Sequence, residues 1–460
     1  MAASVVAMFA GLSGALADGS AFSSQLAFPG AQGFGAGAIG WRGGDVVAVT
    51  TLDDRGPGSL RACAENRGEA RVCIFTVSGT ISLATPIYLG ANLYVAGQTA
   101  PGDGVQIRNA ASTHTPLILK NVTDVVVRFL KIRPGPSKTP SPTVDAVTVE
   151  NARRIYLGNL SMGFATDETF NIHVSNATAA DITLADSLLA LSLDRSTHPK
   201  GKHSKGALIC SDEGSDNACG RITLLRNLFA HHRDRNPDIK ATSIGPVEVI
   251  NNVFYNPISQ FGEFYDLLGE TRIAYVGNVA LTGPSTIWRT PEAVQVFNWN
   301  DATDVALMVR DNIASTANGC RKRNTRVLDR EAKRSQIPDT DITLTTPALP
   351  SDQVLETVLA RAGDQILPNR QPDALDARVL DDVRHCTGAV IDRVDQVGGW
   401  PDLRIAPAIT DSDGDGFPDD WEAQTPGLDP AEPDDPWQPA HSGGTSNLEL
   451  WLAQLAGDGT

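Results

Sequence analysis

The sequence predicts an all-β fold, a parallel β-helix, on three observations. A short alternating strand recurs through the middle of the chain, as Ile222-Thr-Leu224-Leu-Arg-Asn227-Leu228, Val247-Glu-Val249-Ile-Asn-Asn252-Val253, Ile273-Ala-Tyr275-Val-Gly-Asn278-Val279 and Leu307-Met-Val309-Arg-Asp-Asn312-Ile313. Asn227, Asn252 and Asn278 stand 25 and then 26 residues apart, while other intervals are longer. A period in that range marks a solenoid, whose coils bury their apolar faces only against their neighbours, and three short strands per coil would fill it. Asn recurring at one register also suits a ladder of stacked side chains inside a turn. Looser copies run from Val125 to Ile132, Ile155 to Met162 and Ile182 to Leu188, with Ser187 in the Asn place. A β-sandwich with regular turns is the alternative, and it gives the Asn register no role.

Four segments follow: 1–17, 26–330, 331–407 and 408–460. Met1 to Ala17 carry no charge and end in Ala15-Leu16-Ala17, an A-x-A processing signal before Asp18. They read as a secretory signal peptide whose missing basic n-region places the true start upstream; an apolar helix packed on the core is the alternative. No other apolar run approaches the ~20 residues of a membrane span, so the protein is expected to be soluble and exported. In an oxidising compartment, Cys63–Cys73 and Cys210–Cys219 pair around short polar loops, leaving Cys320–Cys386 by elimination. A zinc site lacks any C-x₂-C spacing to support it, and reduced buried thiols are the other reading.

Within 26–330, Gly58-Ser59-Leu60-Arg61-Ala62-Cys63-Ala64 reads as a short helix covering the open end of the first coil. The longer intervals between coils are loops on one side, where a solenoid builds its site. After Asn312 the strand pattern fades into a wrap or linker with short helices, 331–407. Ser351 to Ala362 has helical periodicity, with Ser351 as N-cap and Gly363 past its end.

The chain's 38 Lys and Arg against 54 Asp and Glu give a net charge of −16, which argues against a nucleic-acid partner. Twelve of those acids, with no Lys or Arg, lie from Asp411 onward. There, Asp411, Asp413, Asp415, Asp419 and Glu422 occupy positions 1, 3, 5, 9 and 12 of an EF-hand-type calcium loop, with Gly416 at 6 and the Phe417 carbonyl at 7. Hard oxygen donors at that spacing wrap a cation of six to eight ligands. An acidic flexible tail is the alternative.

Leu191 to Lys240 is a basic island, with nine Lys and Arg against six acids and four of the eight histidines. It holds His198-Pro-Lys200-Gly-Lys202-His203-Ser-Lys205 and, one coil later, His231-His232-Arg233-Asp234-Arg235-Asn236-Pro237-Asp238-Ile239-Lys240. Upstream coils bring Asp145 and Asp167-Glu168 to the same flank. Cations facing carboxylates across a groove suit an anionic ligand held partly by a metal; a solvated charged face is the alternative.

With these residues the sequence resembles a secreted pectate lyase of polysaccharide lyase family 1, in the branch that often carries a calcium-loop tail. Similar runs are Ala27-Phe28-Pro29-Gly30-Ala31-Gln32-Gly33-Phe34-Gly35-Ala36, Val49-Thr50-Thr51-Leu52-Asp53-Asp54-Arg55-Gly56-Pro57-Gly58-Ser59-Leu60-Arg61, Ala96 to Gly104, Thr166-Asp167-Glu168-Thr169-Phe170, the Arg-x-Pro at Arg235, and Val397-Gly398-Gly399-Trp400-Pro401. The resemblance implies a right-handed parallel β-helix that cleaves polygalacturonate by β-elimination, with Ca²⁺ bridging substrate and protein. It places Arg235 as catalytic base and Lys200 as the catalytic groove lysine, and Lys240 in place of a substrate-binding Arg, with His203 and Lys205 as further substrate contacts. Asp145 and Asp167 match calcium-ligand positions, Glu168 beside them. A secreted monomer acting on an acidic polysaccharide is the expectation. Two positions depart from the family pattern: Thr143 and Gly158 stand where many relatives carry acids. A hydrolase of the same architecture, a non-catalytic calcium-dependent polysaccharide binder, and a lyase preferring methyl-esterified pectin are the competing readings.

Overall fold

The structure is a computed structural model that describes residues 26–242, 244–287, 292–318, 321–440 and 445–459. The proposed leader, 1–17, and Cys320 lie outside the described residues. Successive coils stack their strands into three sheets of ten, eight and ten strands. All pairs are parallel except the last, Ile313–Asn318 with Arg321–Asn324. The fold is a right-handed parallel β-helix.

The Asn register has the predicted physical basis. Asn252 Oδ1 accepts the Asn227 backbone N–H at 2.9 Å, Asn278 Oδ1 that of Asn252 at 2.9 Å, and Asn312 Oδ1 that of Asn278 at 2.8 Å. Their amides donate to the carbonyls of Leu184, Leu224, Val249 and Tyr275, so buried backbone groups at the turn find partners. Ser187 continues the row, donating its N–H to Asn227 and accepting from Leu160. The residue before each rung turns the chain with positive φ: Asp186, Arg226, Asn251, Gly277 and Asp311 at 48°, 53°, 55°, 68° and 51°.

Alternate side chains of all three sheets fill the interior, from Val49 at one end to Leu307 at the other. The N-terminal end is closed by helix Leu60–Ala64, with Ser59 Oγ accepting from the Ala62 N–H as N-cap. Cys63–Cys73 ties that helix to strand Arg71–Phe75, and Cys210–Cys219 joins strands Lys205–Glu213 and Ala218–Leu225. Cys386 is disulfide-bonded as well.

What lies outside the coil decides where a site can be. Helices Ser351–Arg361 and Ala374–His385 pack Val354, Val358, Val379 and Leu380 on Leu188, Leu228 and Val253 of one ten-stranded sheet. Arg133, paired to Asp373 at 2.7 Å and Asp376 at 2.6 Å, fastens the second helix there. The other ten-stranded sheet is covered by residues 27–41 and by Phe417, Leu448, Trp451 and Leu452. The eight-stranded sheet, from Ile87–Tyr88 to Val294–Phe297, carries polar side chains outward and forms the open face. Helix Ser351–Arg361 begins one residue earlier than the sequence suggested. Its N-cap is Pro350, and Ser351, instead of capping, gives its N–H and hydroxyl to the Asp311 carboxylate at 2.9 and 2.7 Å.

Candidate active site

Five successive coils deliver charged residues to one edge of the open sheet, where the chain enters it. Asp145 precedes strand Val147–Glu150, Glu168 opens Glu168–Ser175, and Lys205, in register with Glu168, opens Lys205–Glu213. Arg235 and Asp238 follow on the next coil, and Glu263, in register with Asp238, on the one after. Stacking aligns them in two rows: Glu168, Lys205 and Asp234 share one register, and Asp238 and Glu263 share another in line with Leu208.

Asp145, Asp167 and Glu168 bring carboxylate oxygens within 4.8 Å of one another. Asp145 Oδ1 accepts the Glu168 N–H at 3.1 Å, and its Oδ2 accepts from the Thr148 hydroxyl at 2.7 Å. Burial and the Glu168 charge hold Asp145 well above the ordinary carboxylate range; burial with Glu168 and Asp145 does the same to Asp167. Three crowded carboxylates with only oxygen donors are a hard-cation site by chemistry, and the residues present fit calcium.

The cations face them. Arg235 Nη1 pairs with Glu168 Oε1, and its Nε lies 3.6 Å from Asp238 Oδ2. Arg235 holds a φ of 58°, a left-handed conformation that costs a non-glycine residue ~1–3 kcal/mol. Its N–H donates to Glu263 Oε1 at 3.0 Å and its carbonyl accepts from Ala207 at 2.7 Å, which keeps it there. Burial would lower the guanidinium's affinity for its proton, but Glu168, Asp238, Asp234 and Glu263 outweigh that and raise it above the ordinary value. Lys205 Nζ lies 2.5 Å from Asp234 Oδ1. Lys240 Nζ lies 3.6 Å from Asp238 Oδ2 and 5.5 Å from the Tyr265 ring centroid.

His203 Nε2 is 2.8 Å from Asp167 Oδ1. Burial first, then Lys205, His198, Arg235 and Lys200, push His203 down to about 2, so the imidazole beside the carboxyl is neutral. The His198 ring stacks on it at 3.7 Å. Lys200 is exposed on the adjoining turn, where its backbone N–H donates to His198 Nδ1, and its amine makes no ion pair among the described residues.

Two clefts flank the Arg235–Glu168 pair. One, of about 340 Å³, is lined by Asp145, Asp167, His114, Thr143, Asn171 and His173 among others. The second, of about 180 Å³, holds Arg235, Lys240, Glu263, Tyr265 and Trp299. Carboxylates dominate one side of the pair; on the other, Lys205, Arg235 and Lys240 are interleaved with Asp234, Asp238 and Glu263, and the exposed Trp299 ring lies at the far end.

Against known proteins, the chain is 31% identical to a probable pectate lyase C of Emericella nidulans over 442 residues, 95% of this chain and 94% of that one. That extent settles the kinship. The chain belongs to the pectate lyase family. A probable pectate lyase C of Neosartorya fischeri is also 31% identical, covering 95% of each chain. No family model matches. Among solved structures, the major allergen from cedar pollen superposes with a TM-score of 0.52 at 19% identity, covering 72% of this chain and 92% of that one. A thermostable pectate lyase superposes with the same score at 15% identity, covering 72% and 96%.

The two departures from the family pattern lie in different places. Thr143 lines the larger cleft, its Oγ1 3.0 Å from His114 Nδ1. Gly158 belongs to a ten-stranded sheet on another face, in register with Arg128 and Ala185, and does not reach the carboxylates. Sequence reasoning named His198, Asp234 and Asp238 only as members of the basic island, without a role, and passed over Glu263, Tyr265 and Trp299. Asp238 and Glu263 are one coil apart and in register, but strands of two and four residues, Asp238–Ile239 and Gly262–Tyr265, are too short to show periodicity.

The calcium-like loop of the tail lies on a different face. Asp411, Asp413 and Asp415 form one carboxylate cluster, and Asp415, Glu422 and Asp434 a second that shares Asp415. Asp419 is turned elsewhere: its oxygens accept from the Ser412 N–H at 2.8 Å and hydroxyl at 2.7 Å.

Proposed function

We propose that the chain is a secreted enzyme that cleaves polygalacturonate by β-elimination, working as a monomer. The observation that carries this reading is Arg235 paired to Glu168 at the edge of the carboxylate trio, on the open sheet. Elimination takes the proton α to the uronate carboxylate, shifts that bond's electrons into a C=C, and breaks the glycosidic bond at the β carbon, whose oxygen leaves and is protonated. Arg235 takes the proton in this reading. Lys240 and Lys205 line the groove and would orient an anionic chain; His203, buried against Asp167, and the exposed Lys200 on the adjoining turn complete the basic side in this reading.

Asp145, Asp167 and Glu168 are the residues that would hold Ca²⁺. When bound, calcium supplies positive charge beside the substrate carboxylate, where elimination builds negative charge. Arg235 as it stands is firmly protonated, and Glu168 is the first of the carboxylates that keep it so. Engaging the Glu168 charge elsewhere removes the first of these carboxylates and lets burial weigh more heavily against the charged guanidinium, while Asp238, Asp234 and Glu263 still hold the proton; an alkaline optimum is the expectation.

A hydrolase reading fits less well. An inverting hydrolase needs carboxylates about 6.5–9.5 Å apart, whereas these oxygens lie within 4.8 Å, and an arginine paired to one of them has no part in that chemistry. Export is supported by the two disulfides of the coil. No helix among the described residues is long and apolar enough to cross a membrane.

The test is ultraviolet absorbance on incubation with polygalacturonate, with calcium and with chelator, for wild type and Arg235→Lys. Calcium-dependent absorbance in wild type alone supports elimination with Arg235 as base. Reducing ends without absorbance would mean hydrolysis, and binding with no product a carbohydrate-binding protein.

A further inference from the structure

The acidic tail carries a second group of carboxylates that the proposed reaction does not use. Glu422 is 1% exposed, and neither of its carboxylate oxygens has a hydrogen-bond partner; Asp413 Oδ2 is buried and unpartnered too. Two unpartnered oxygens on one buried carboxylate, with Asp415 and Asp434 oxygens within 4.8 Å, are costly unless a cation joins them. Asp434 lies outside the twelve-residue loop. Its N–H donates to Asp415 Oδ2 at 2.7 Å, which brings its own carboxylate to Glu422. Asp419, at loop position 9, faces Ser412 instead.

The loop is also built into the body of the protein. Phe417 is 1% exposed and packs against Trp421 and Trp451 at 4.9 and 5.6 Å. Gly416, at a φ of 101°, lies so close to the first two strands that a Cβ there would stand 3.1 Å from Ile74 and 3.3 Å from Val46. Beyond the loop, Trp437 Nε1 donates to the Gly44 carbonyl at 2.9 Å, Glu449 pairs with Arg42 at 2.6 Å, and Asp458 with Arg128 at 2.5 Å. The described residues of this tail, 411–440 and 445–459, thus form the outer layer over one ten-stranded sheet.

We infer that Asp411, Asp413, Asp415, Glu422 and Asp434, with the Phe417 carbonyl, bind a calcium ion whose role is to latch the C-terminal tail onto the N-terminal coils. Asp434, from outside the loop, stands in for the position-9 ligand. The latch is separate from the cleft carboxylates and independent of whether they bind calcium.

The experiment uses the full chain carrying Asp145→Asn, so that the cleft site is disabled. Calcium binding is measured by titration calorimetry, melting temperature with calcium and with chelator, and terbium luminescence sensitised through Trp421. Expected are one remaining site, a melting temperature raised by calcium, and protection of residues 411–459 from proteolysis when calcium is present. Adding Asp434→Asn should weaken binding at least tenfold, and adding Asp419→Asn should change it less than threefold. Adding Glu422→Gln should abolish the calcium response while raising the melting temperature in chelator, since it relieves repulsion in the empty cluster. No calcium effect on melting with Asp145→Asn alone would overturn the latch. Loss of binding in the Asp419 variant with none in the Asp434 variant would overturn the ligand assignment.

Discussion

The guanidinium of Arg235 is paired to Glu168, and Glu168 is at once one of three carboxylates crowded within 4.8 Å. One residue therefore joins the carboxylate trio to the arginine of the neighbouring cleft. Whatever draws charge from Glu168 removes the first of the carboxylates that hold the proton on Arg235, with Asp238, Asp234 and Glu263 holding it as well.

Arg235→Lys tests that contact with the least disturbance. A lysine keeps a cation beside Glu168 and the fold intact, yet it cannot present the same atom to the substrate. Product absorbance should fall ~10²–10⁴-fold, the range that a positioned base contributes, with the melting temperature unchanged. Arg235→Ala should lose activity equally and in addition lose stability, up to ~3–5 kcal/mol, because Glu168 is left buried without its partner. Equal stability of the two variants would show that the pair adds nothing to the fold.

The Asn ladder yields a prediction about stability alone. Asn252 accepts from Asn227 and donates to the Leu224 and Ile250 carbonyls, all buried. Asn252→Ala strands these groups at ~1–3 kcal/mol each, so urea unfolding should register a loss of about 3–5 kcal/mol. Asn312 ends the row and is partly exposed, and its Ala variant should cost less than half as much. Specific activity of the folded fraction should be unchanged in both.

The ladder was legible in the sequence because each rung answers a backbone requirement that recurs once per coil, and only Asn or Ser meets it. The carboxylates and Arg235 were legible through local runs that match a family. Glu263 and Tyr265 were not, because a four-residue strand has no period and its side chains acquire meaning only when stacking sets Glu263 beside Asp238. Asp434 was hidden for a similar reason: it reaches the tail cluster through a bend in the chain that the twelve-residue motif does not contain. Gly158 shows the converse: its departure from the family pattern is visible in the sequence, but only the fold shows that it lies in another sheet, away from the cleft that Thr143 lines.

The wrap of residues 331–407 should depend on Arg133. Its guanidinium is 1% exposed, with Asp373 and Asp376 on the helix Ala374–His385 and at its N-cap as partners. Arg133→Met leaves two buried carboxylates facing an apolar chain, and should destabilise by ~3–5 kcal/mol or more. The triple variant Arg133→Met, Asp373→Asn, Asp376→Asn should recover part of that loss; urea unfolding of wild type, single variant and triple variant measures it. Failure to recover would mean that the arginine acts through packing rather than charge.

Asp238 gives a dependence on pH whose sign can be worked out. Burial pushes its carboxyl up to about 6, although Lys240 and Arg235 pull the other way. An unfolded Asp titrates near ~3.9, so between the two values the folded chain holds a proton that the unfolded chain has lost. Its contribution to stability is therefore fully present below pH ~4 and is lost as pH rises through about 6. About two units correspond to on the order of 3 kcal/mol at most. Asp238→Asn has no proton to lose, so the stability of wild type relative to this variant should decline across that window. Urea unfolding at several pH values in chelator measures the difference. A difference that is flat, or that grows with pH, would mean that Lys240 and Arg235 outweigh burial and that Asp238 is already ionised in the fold.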